Sequence, residues 1–384
     1  MKHFFRTWVA LVGFAGALAA QPTGRIVLDD GHLDLAFDRT ASGWSLAVKH
    51  DDFEEHFGFD DVVLHLGQGA FPNGHVVSAR PAAAEWDFLG VAAGEPFWNA
   101  PAFRPISASG SARILEPGFS TEGTPTSQIA LQVISDARIT SQPRRWIQVE
   151  LVGHRHWGDV AGHVSLWRAA TNPIVHWSTA LPPAGGNIWF IVAGAHDHMD
   201  WGVSHAGIHE IDLRATTVLN DGNNTPSTSE TVTLTLVAGE MPGPYFWWAK
   251  DHFSPDEWRA GLAAPGRMAA AGGLTNLHAY ALGLDPRSTQ TVDLPGIRMS
   301  ASARIFHFSR PSAAPAGVTL EVEYSENLAS WTTLARSAGG SPFVVLVPGT
   351  VVQESAPAGG RTTIEVTAPP SAAPAGFFRL RARL

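Results

Sequence analysis

Between Gly207 and Ala215 the chain alternates residue by residue: His209, Ile211 and Leu213 fall on one side of an extended backbone, and Glu210, Asp212 and Arg214 on the other. A helix would scatter these residues around its circumference, so a period of two commits the segment to a strand with one buried face. The pattern recurs at 32–37, where Leu33, Leu35 and Phe37 share one face and His32 and Asp34 the other. Further short runs that predict strands lie at 44–49, 62–66, 75–79, 85–89, 129–134, 146–152, 163–167, 174–178, 188–193 and 230–237, at the spacing of a sandwich. With 38 Gly and 27 Pro, turn-forming residues are frequent enough to separate them, and the stretch 90–127 reads as long loops. The expected fold class is mainly β, with an N-terminal β-sandwich over 21–240, a short helical spacer over 241–290 and a C-terminal fibronectin- or immunoglobulin-like β-sandwich over 291–384.

The first 20 residues read differently. Lys2 and Arg6 precede an apolar run from Thr7 to Leu18, and small residues follow at Ala17, Ala19 and Ala20. This is the pattern of a secretory signal peptide cut after Ala19 or Ala20, its apolar stretch too short for a membrane span. The mature protein is therefore expected to be exported, without a transmembrane segment. The sequence has no cysteine, so any metal must be held by His, Asp, Glu or backbone oxygen. Formal charge is −9, and about −11 once Lys2 and Arg6 are removed (24 basic and 35 acidic residues), a balance that argues against nucleic acid and anionic membrane as partners.

The densest chemical signal is the stretch Gly194–Leu213, which holds His196, His198, His205 and His209, four of the chain's 17 histidines. His196 and His198 lie at the end of the 188–193 run. In extended backbone, residues two apart face the same way with Cα atoms about 6.5 Å apart, so two imidazoles so placed can converge on one divalent ion. His209 shares the apolar face of its strand and is either a third ligand or a core histidine. His32 and Asp34 form a second ligand-type pair on a polar strand face. The 188–193 and 207–215 strands are expected as a hairpin or as neighbours.

The order of several blocks resembles the choice-of-anchor M family, a surface-anchored repeat domain of exported bacterial proteins. The blocks are Val27-Leu-Asp-Asp-Gly-His-Leu-Asp-Leu35, Phe88-Leu-Gly-Val-Ala-Ala-Gly-Glu-Pro-Phe-Trp-Asn-Ala-Pro101, Ser120-Thr-Glu122, and His196-x-His198-x-x-Trp201 followed by Gly207-Ile-His-Glu-Ile211. The resemblance spans about residues 24–216. It implies a β-sandwich surface protein with a metal-related role, because some members are linked to zinc- and manganese-type uptake transporters. His32, Asp34, His196, His198 and Trp201 fall on the family's pattern. Three departures stand out. His209 replaces a usual aromatic, Asn99-Ala-Pro101 replaces a usual Pro-Gln, and His154 and His156 lie in a segment, Gly153–Gly158, that reads as an exposed loop private to this chain.

Beyond Met241 the pattern turns helical. Ser254, Pro255 and Glu257 make a capping box with proline at the first helical position. Asn276–Pro286 resembles a short Asn-Leu-x-x-Tyr-Ala-x-Gly-x-Asp-Pro spacer of exported bacterial proteins, here without calcium-loop aspartates. The last residues predict strands near 304–309, 318–324, 331–335, 343–347, 362–367 and 377–383. Val322–Trp331 and Phe377–Arg381 resemble a recurring C-terminal module of secreted verrucomicrobial-type proteins.

Hydrolase elbows, His-Glu-x-x-His helices, phosphate loops and dinucleotide fingerprints are absent from the sequence. The leading expectation is an exported, non-enzymatic surface protein that binds a divalent metal, zinc or similar, through His196 and His198 with His32, Asp34 or His209 nearby. One alternative is a glycan-binding or adhesive envelope protein, motivated by the 14 tryptophans and requiring them to be exposed in a row. The other is a metal-dependent hydrolase using Asp197 or Asp200 as base or supporting group.

Overall fold

The computed structural model describes residues 24–50, 56–107, 110–111, 114–170, 172–268, 273–289, 294–300, 303–371 and 375–384; the signal-peptide reading of residues 1–20 lies outside them. The protein is mainly β. Its N-terminal region is built mainly from three sheets, beside a two-stranded one pairing Ile106–Ser107 with Gly110–Ser111. A six-stranded sheet runs in the order Ile26–Leu28, Val62–Leu66, Pro226–Ala238, Gly207–Val218, Trp146–Trp157, Ile188–Val192. A five-stranded sheet runs Ile174–Ser178, Val164–Arg168, Asp200–Val203, Phe97–Ala100, Val76–Val77. A four-stranded sheet runs His196–His198, Leu115–Ser120, Gly31–Thr40, Gly43–His50.

The alternation in the sequence explains why these sheets meet. Leu33, Leu35 and Phe37 point from the four-stranded sheet into a core shared with Leu166, Trp177 and Trp201 of the five-stranded sheet and with Ile147, Trp189, Ile211 and Leu213 of the six-stranded one. At its centre Phe119 packs on three tryptophans, with ring centroids 5.4 Å from Trp177, 6.2 Å from Trp189 and 5.5 Å from Trp201. Burying a side chain of this size contributes about 1.5–3 kcal/mol.

Five local expectations are corrected. The Ile188–Val192 and Gly207–Val218 strands belong to one sheet but are not neighbours, because Trp146–Trp157 lies between them. That middle strand continues past residue 152 through a bulge at Leu151/Gly153, so His154 and His156 stand on a strand and not in an exposed loop. Residues 84–89 form a 3-10 turn, and 129–134 carry only isolated bridges at Ile129 and Gln132. Within the supposed loops of 90–127, Phe97–Ala100 and Leu115–Ser120 are strands.

The C-terminal region consists of a pair of four-stranded sheets around a common core. Their orders are Gly296–Met299, Arg304–Pro311, Arg361–Thr367, Val351–Glu354 and Val344–Val345, Thr332–Ala338, Thr319–Ser325, Phe377–Arg383. Numbered along the chain this is 1-2-7-6 and 5-4-3-8, the arrangement of the A-B-E-D and C″-C′-C-F strands of an immunoglobulin-type sandwich.

The helical segment between the two regions carries Pro244–His252, Pro255–Arg259 and Asn276–Leu282. Ser254 closes the expected capping box, its Oγ accepting from Glu257 N while Glu257 Oε2 accepts from Ser254 N. Asn276–Leu282 stops at Gly283, whose φ of 61° is left-handed. Tyr245, Ala249, Phe253, Leu277 and Tyr280 are buried in the C-terminal core. On the other flank Trp157 Nε1 donates to Phe253 O at 2.8 Å, and Lys250 reaches Glu210 at 2.7 Å with its Nζ 5.0 Å from the centre of the Trp157 ring. The segment therefore packs against both sandwiches.

Several histidines are sealed in these cores. Burial holds His75 and His156 down to about 4 and His176 to about 3, and it pushes His209 well below its usual value. In the unfolded chain each would titrate near 6.5. The folded state thus keeps them neutral while the unfolded state takes up protons, so their contribution is complete above about pH 6.5 and is lost as pH falls toward 4. Each should remove about 1.4 kcal/mol of stability per pH unit in that window. Urea unfolding is expected to show a midpoint that drops steeply between about pH 7 and pH 5 with unchanged slope; a flat midpoint across that range would contradict neutral burial of the four rings.

Candidate metal centre

The His32–Phe37 alternation decides which residues of the Gly31–Thr40 strand leave the core. With Leu33, Leu35 and Phe37 buried, His32 and Asp34 face the other side of the four-stranded sheet. The sheet register then brings distant segments of the chain to that face. Leu115–Ser120 pairs in parallel with Gly31–Thr40, setting Asp34 beside Gly118, and in antiparallel with His196–His198, setting Gly118 beside His198 and Ser120 beside His196. Asp34, Gly118 and His198 thus form one row across three strands.

The outer strands of such a row stand about 10 Å apart. The side chains of Asp34 and His198 meet only because the position between them has no side chain. A Cβ on Gly118 would lie 2.6 Å from His198 Cε1, 2.7 Å from His198 Nε2 and 2.8 Å from Asp34 Oδ1. The space is filled by the imidazole and the carboxylate.

His32, His196 and His198 each present a ligand nitrogen within 4.8 Å of the others, and together they could hold a metal ion. His32 Nε2 and His198 Nε2 are 2.9 Å apart, and Asp34 Oδ1 is 3.7 Å from His198 Nε2. Zinc–nitrogen bonds of about 2.0–2.1 Å place two ligand nitrogens roughly 3.3 Å apart at tetrahedral angles, so a small rotation of the half-buried His32 ring would bring that pair to the spacing of two zinc ligands. The rings of His196 and His32 are nearly perpendicular at 6.3 Å, as are those of His196 and His198 at 5.8 Å. His198 is buried, whereas His196 has a half-exposed side chain, so the cluster opens to solvent on the His196 side.

The electrostatics favour a cation. Asp34 Oδ1 is buried and has no hydrogen-bond partner among the described residues. Burial raises the Asp34 carboxyl above its ordinary range, against the pull of His32, and burial lowers His198, with His32 adding to the effect. Burial thus disfavours the charged form of each group, and a divalent ion would favour the ionised carboxylate and the neutral imidazole. Glu122 Oε1 lies 3.2 Å from His196 Nδ1, in the position of an outer carboxylate that orients a ligating imidazole. Three imidazoles and one carboxylate form a donor set suited to zinc and its neighbours.

Other sequence candidates lie elsewhere. His209, expected near the site, sits in the six-stranded sheet, where its Nδ1 is 3.1 Å from His154 Nε2 and its Nε2 is 2.9 Å from His205 O. His156 stacks on it at 4.0 Å and accepts from Gly162 N. These three are core histidines with hydrogen-bond partners. Asp197 alternates to the opposite face of its short strand and pairs with Arg168 at 2.6 Å. Asp200 Oδ1 accepts from Ala102 N, and neither aspartate joins the cluster. Gly118 was the residue that sequence reasoning missed. Behind Pro117 it reads as a turn, and no local pattern marks it as the floor of a site.

No family model, no curated protein and no solved structure matches the chain. The site accordingly rests on its own geometry, and the geometry singles out its floor. Gly118→Ala should force the His198 ring and the Asp34 carboxylate apart and weaken zinc binding by about tenfold or more, at a stability cost of about 1–3 kcal/mol. Competition against a chromophoric chelator reads the first quantity and thermal unfolding the second; wild-type zinc affinity in this variant would show that the row does not form the site.

Proposed function

We propose that the protein is an exported, non-enzymatic surface or extracellular protein whose N-terminal sandwich holds one divalent metal ion, zinc or similar, on His32, His196 and His198, with Asp34 completing the set. The observation that carries this reading is the convergence of three imidazoles from two strands, remote in sequence, around a buried carboxylate oxygen with no other partner among the described residues. When bound, the ion would cross-link the edge strand His196–His198 to Gly31–Thr40 over Gly118. With Asp34 as fourth ligand the coordination is closed, which favours binding or structural use over the open position that water activation requires. Export rests on the amino-terminal pattern, and the choice-of-anchor M resemblance supports the same surface setting. Among the described residues no helix is long and apolar enough to cross a membrane.

The glycan-binding alternative loses its motive, because every described tryptophan is buried or half-buried and none is exposed. The test is elemental analysis of the mature protein made without a histidine tag and dialysed against a weak chelator, beside the His196→Ala/His198→Ala variant. About one zinc per wild-type chain, lost in the variant, is expected. Equal metal content in the two proteins, or none in either, would overturn the assignment.

A further inference from the structure

In the C-terminal sandwich, Leu320, Val322 and Tyr324 of the Thr319–Ser325 strand fill the core, which turns Glu321 and Glu323 to the outer face of the sheet. The edge strand Phe377–Arg383 alternates in the same way. Leu380 and Ala382 pack on the core, and Arg379, Arg381 and Arg383 stand outside. Register sets Arg336 and Arg381 on either side of Glu321, and Arg379 beside Glu323. We infer that this arginine face binds an acidic polysaccharide, the sugar carboxylates lying along the row.

The charge that solvent meets on this face is positive. Glu321 and Glu323 are only 2% and 4% exposed, whereas the four arginine side chains above them are each about half exposed. Glu321 pairs with Arg336 at 2.8 Å and Arg383 at 3.0 Å, and Glu323 with Arg379 at 2.5 Å and Arg381 at 3.7 Å. Four cations over two anions leave two positive charges in excess, with the anions underneath. Arg383 meets its carboxylate through Nη2 and Arg379 through Nε, so other donors of each five-donor fork stay free. The Arg381 guanidinium makes no hydrogen bond among the described residues and keeps only its 3.7 Å ion pair. The buried carboxylates also hold the forks in place, so a ligand finds them already ordered.

The excess is local. Residues 291–384 contain eight arginines and six acidic residues, while residues 1–290 contain 18 basic and 29 acidic ones. A planar anionic membrane would bring that acidic remainder close as well, whereas a linear polymer touches the row and leaves the rest in solvent. Guanidinium forks match planar carboxylates. Beside them lie the arginine stems and Val344, which stands opposite Arg336 on the same face and is 62% exposed, an apolar surface for sugar rings. The neighbouring indole, Trp331, is half-buried with Arg379 4.2 Å over its ring, so it offers no platform on which nucleic-acid bases stack. Recognition here is by arginine and needs no row of exposed tryptophans.

The test titrates soluble galacturonate oligomers into the full mature chain in the presence of a chelator, so its outcome is independent of the histidine cluster. The methyl-esterified oligomer, which keeps the chain and loses the charge, and oligothymidylate are the comparisons. Saturable binding of the acid form that weakens steeply with salt is expected, falling about threefold in Arg381→Gln and about tenfold in Arg379→Gln/Arg381→Gln. Arg381→Gln removes no hydrogen bond and should keep the wild-type unfolding temperature, so it stays informative if the double variant disturbs the sheet. Arg298→Gln, in the opposite sheet of the sandwich, changes net charge equally and should bind as wild type. No salt-dependent binding, equal binding of the ester or of oligothymidylate, wild-type affinity in Arg381→Gln, or an equal loss in Arg298→Gln would each overturn the proposal.

Discussion

The packing of Phe119 among Trp177, Trp189 and Trp201 is the interaction on which the rest of the N-terminal half depends. It joins residues from all three sheets, and it fixes the height and rotation of the Leu115–Ser120 strand. In a strand, fixing one side chain fixes its neighbours, because alternate residues must face opposite sides. With Phe119 held in the core, Gly118 and Ser120 face the side of the histidine cluster, and Asp34 and His198 close over Gly118. The aromatic core and the histidine cluster are therefore two faces of one short strand.

The two histidine clusters show how surroundings divide one residue type between two uses. His154, His156 and His209 come together because Trp146–Trp157 and Gly207–Val218 pair in register, and each finds a hydrogen-bond partner. Burial keeps His209 and His156 neutral, which suits such a network and makes it sensitive to acid. His32, His196 and His198 converge instead on a carboxylate oxygen that lacks a partner among the described residues, beside the outer carboxylate of Glu122. The first cluster satisfies itself, and the second could hold a cation.

The helical segment occupies a position that its reading as a spacer did not convey. Its capping box and its stop at Gly283 were legible because they depend on three or four adjacent residues. Its packing was not legible. Tyr245, Phe253 and Tyr280 pack into the core of the immunoglobulin-type sandwich, and His278 Nε2 meets Leu380 O of the last strand at 3.0 Å. Trp157 and Lys250 tie the same segment to the first sandwich. A segment with apolar residues on two faces can serve two cores, and which cores those are is a matter of long-range topology.

What the sequence determined by itself is what local chemistry dictates. Alternation made the chain mainly β and placed His32 and Asp34 on one face and Leu33, Leu35 and Phe37 on the other. Spacing put His196 and His198 on a shared side of extended backbone. Tertiary structure alone decided that these two pairs meet, because the strand between them, Leu115–Ser120, carries Pro117 and Gly118, and strand-breaking residues hide a strand from any periodicity argument. Only the register, set through Phe119 in the core, could show that Gly118 is the gap that lets His198 reach Asp34. The same long-range register removed His209 from the site, since the strand it shares with Ile211 and Leu213 pairs with Trp146–Trp157 and not with the strands that carry the other ligands.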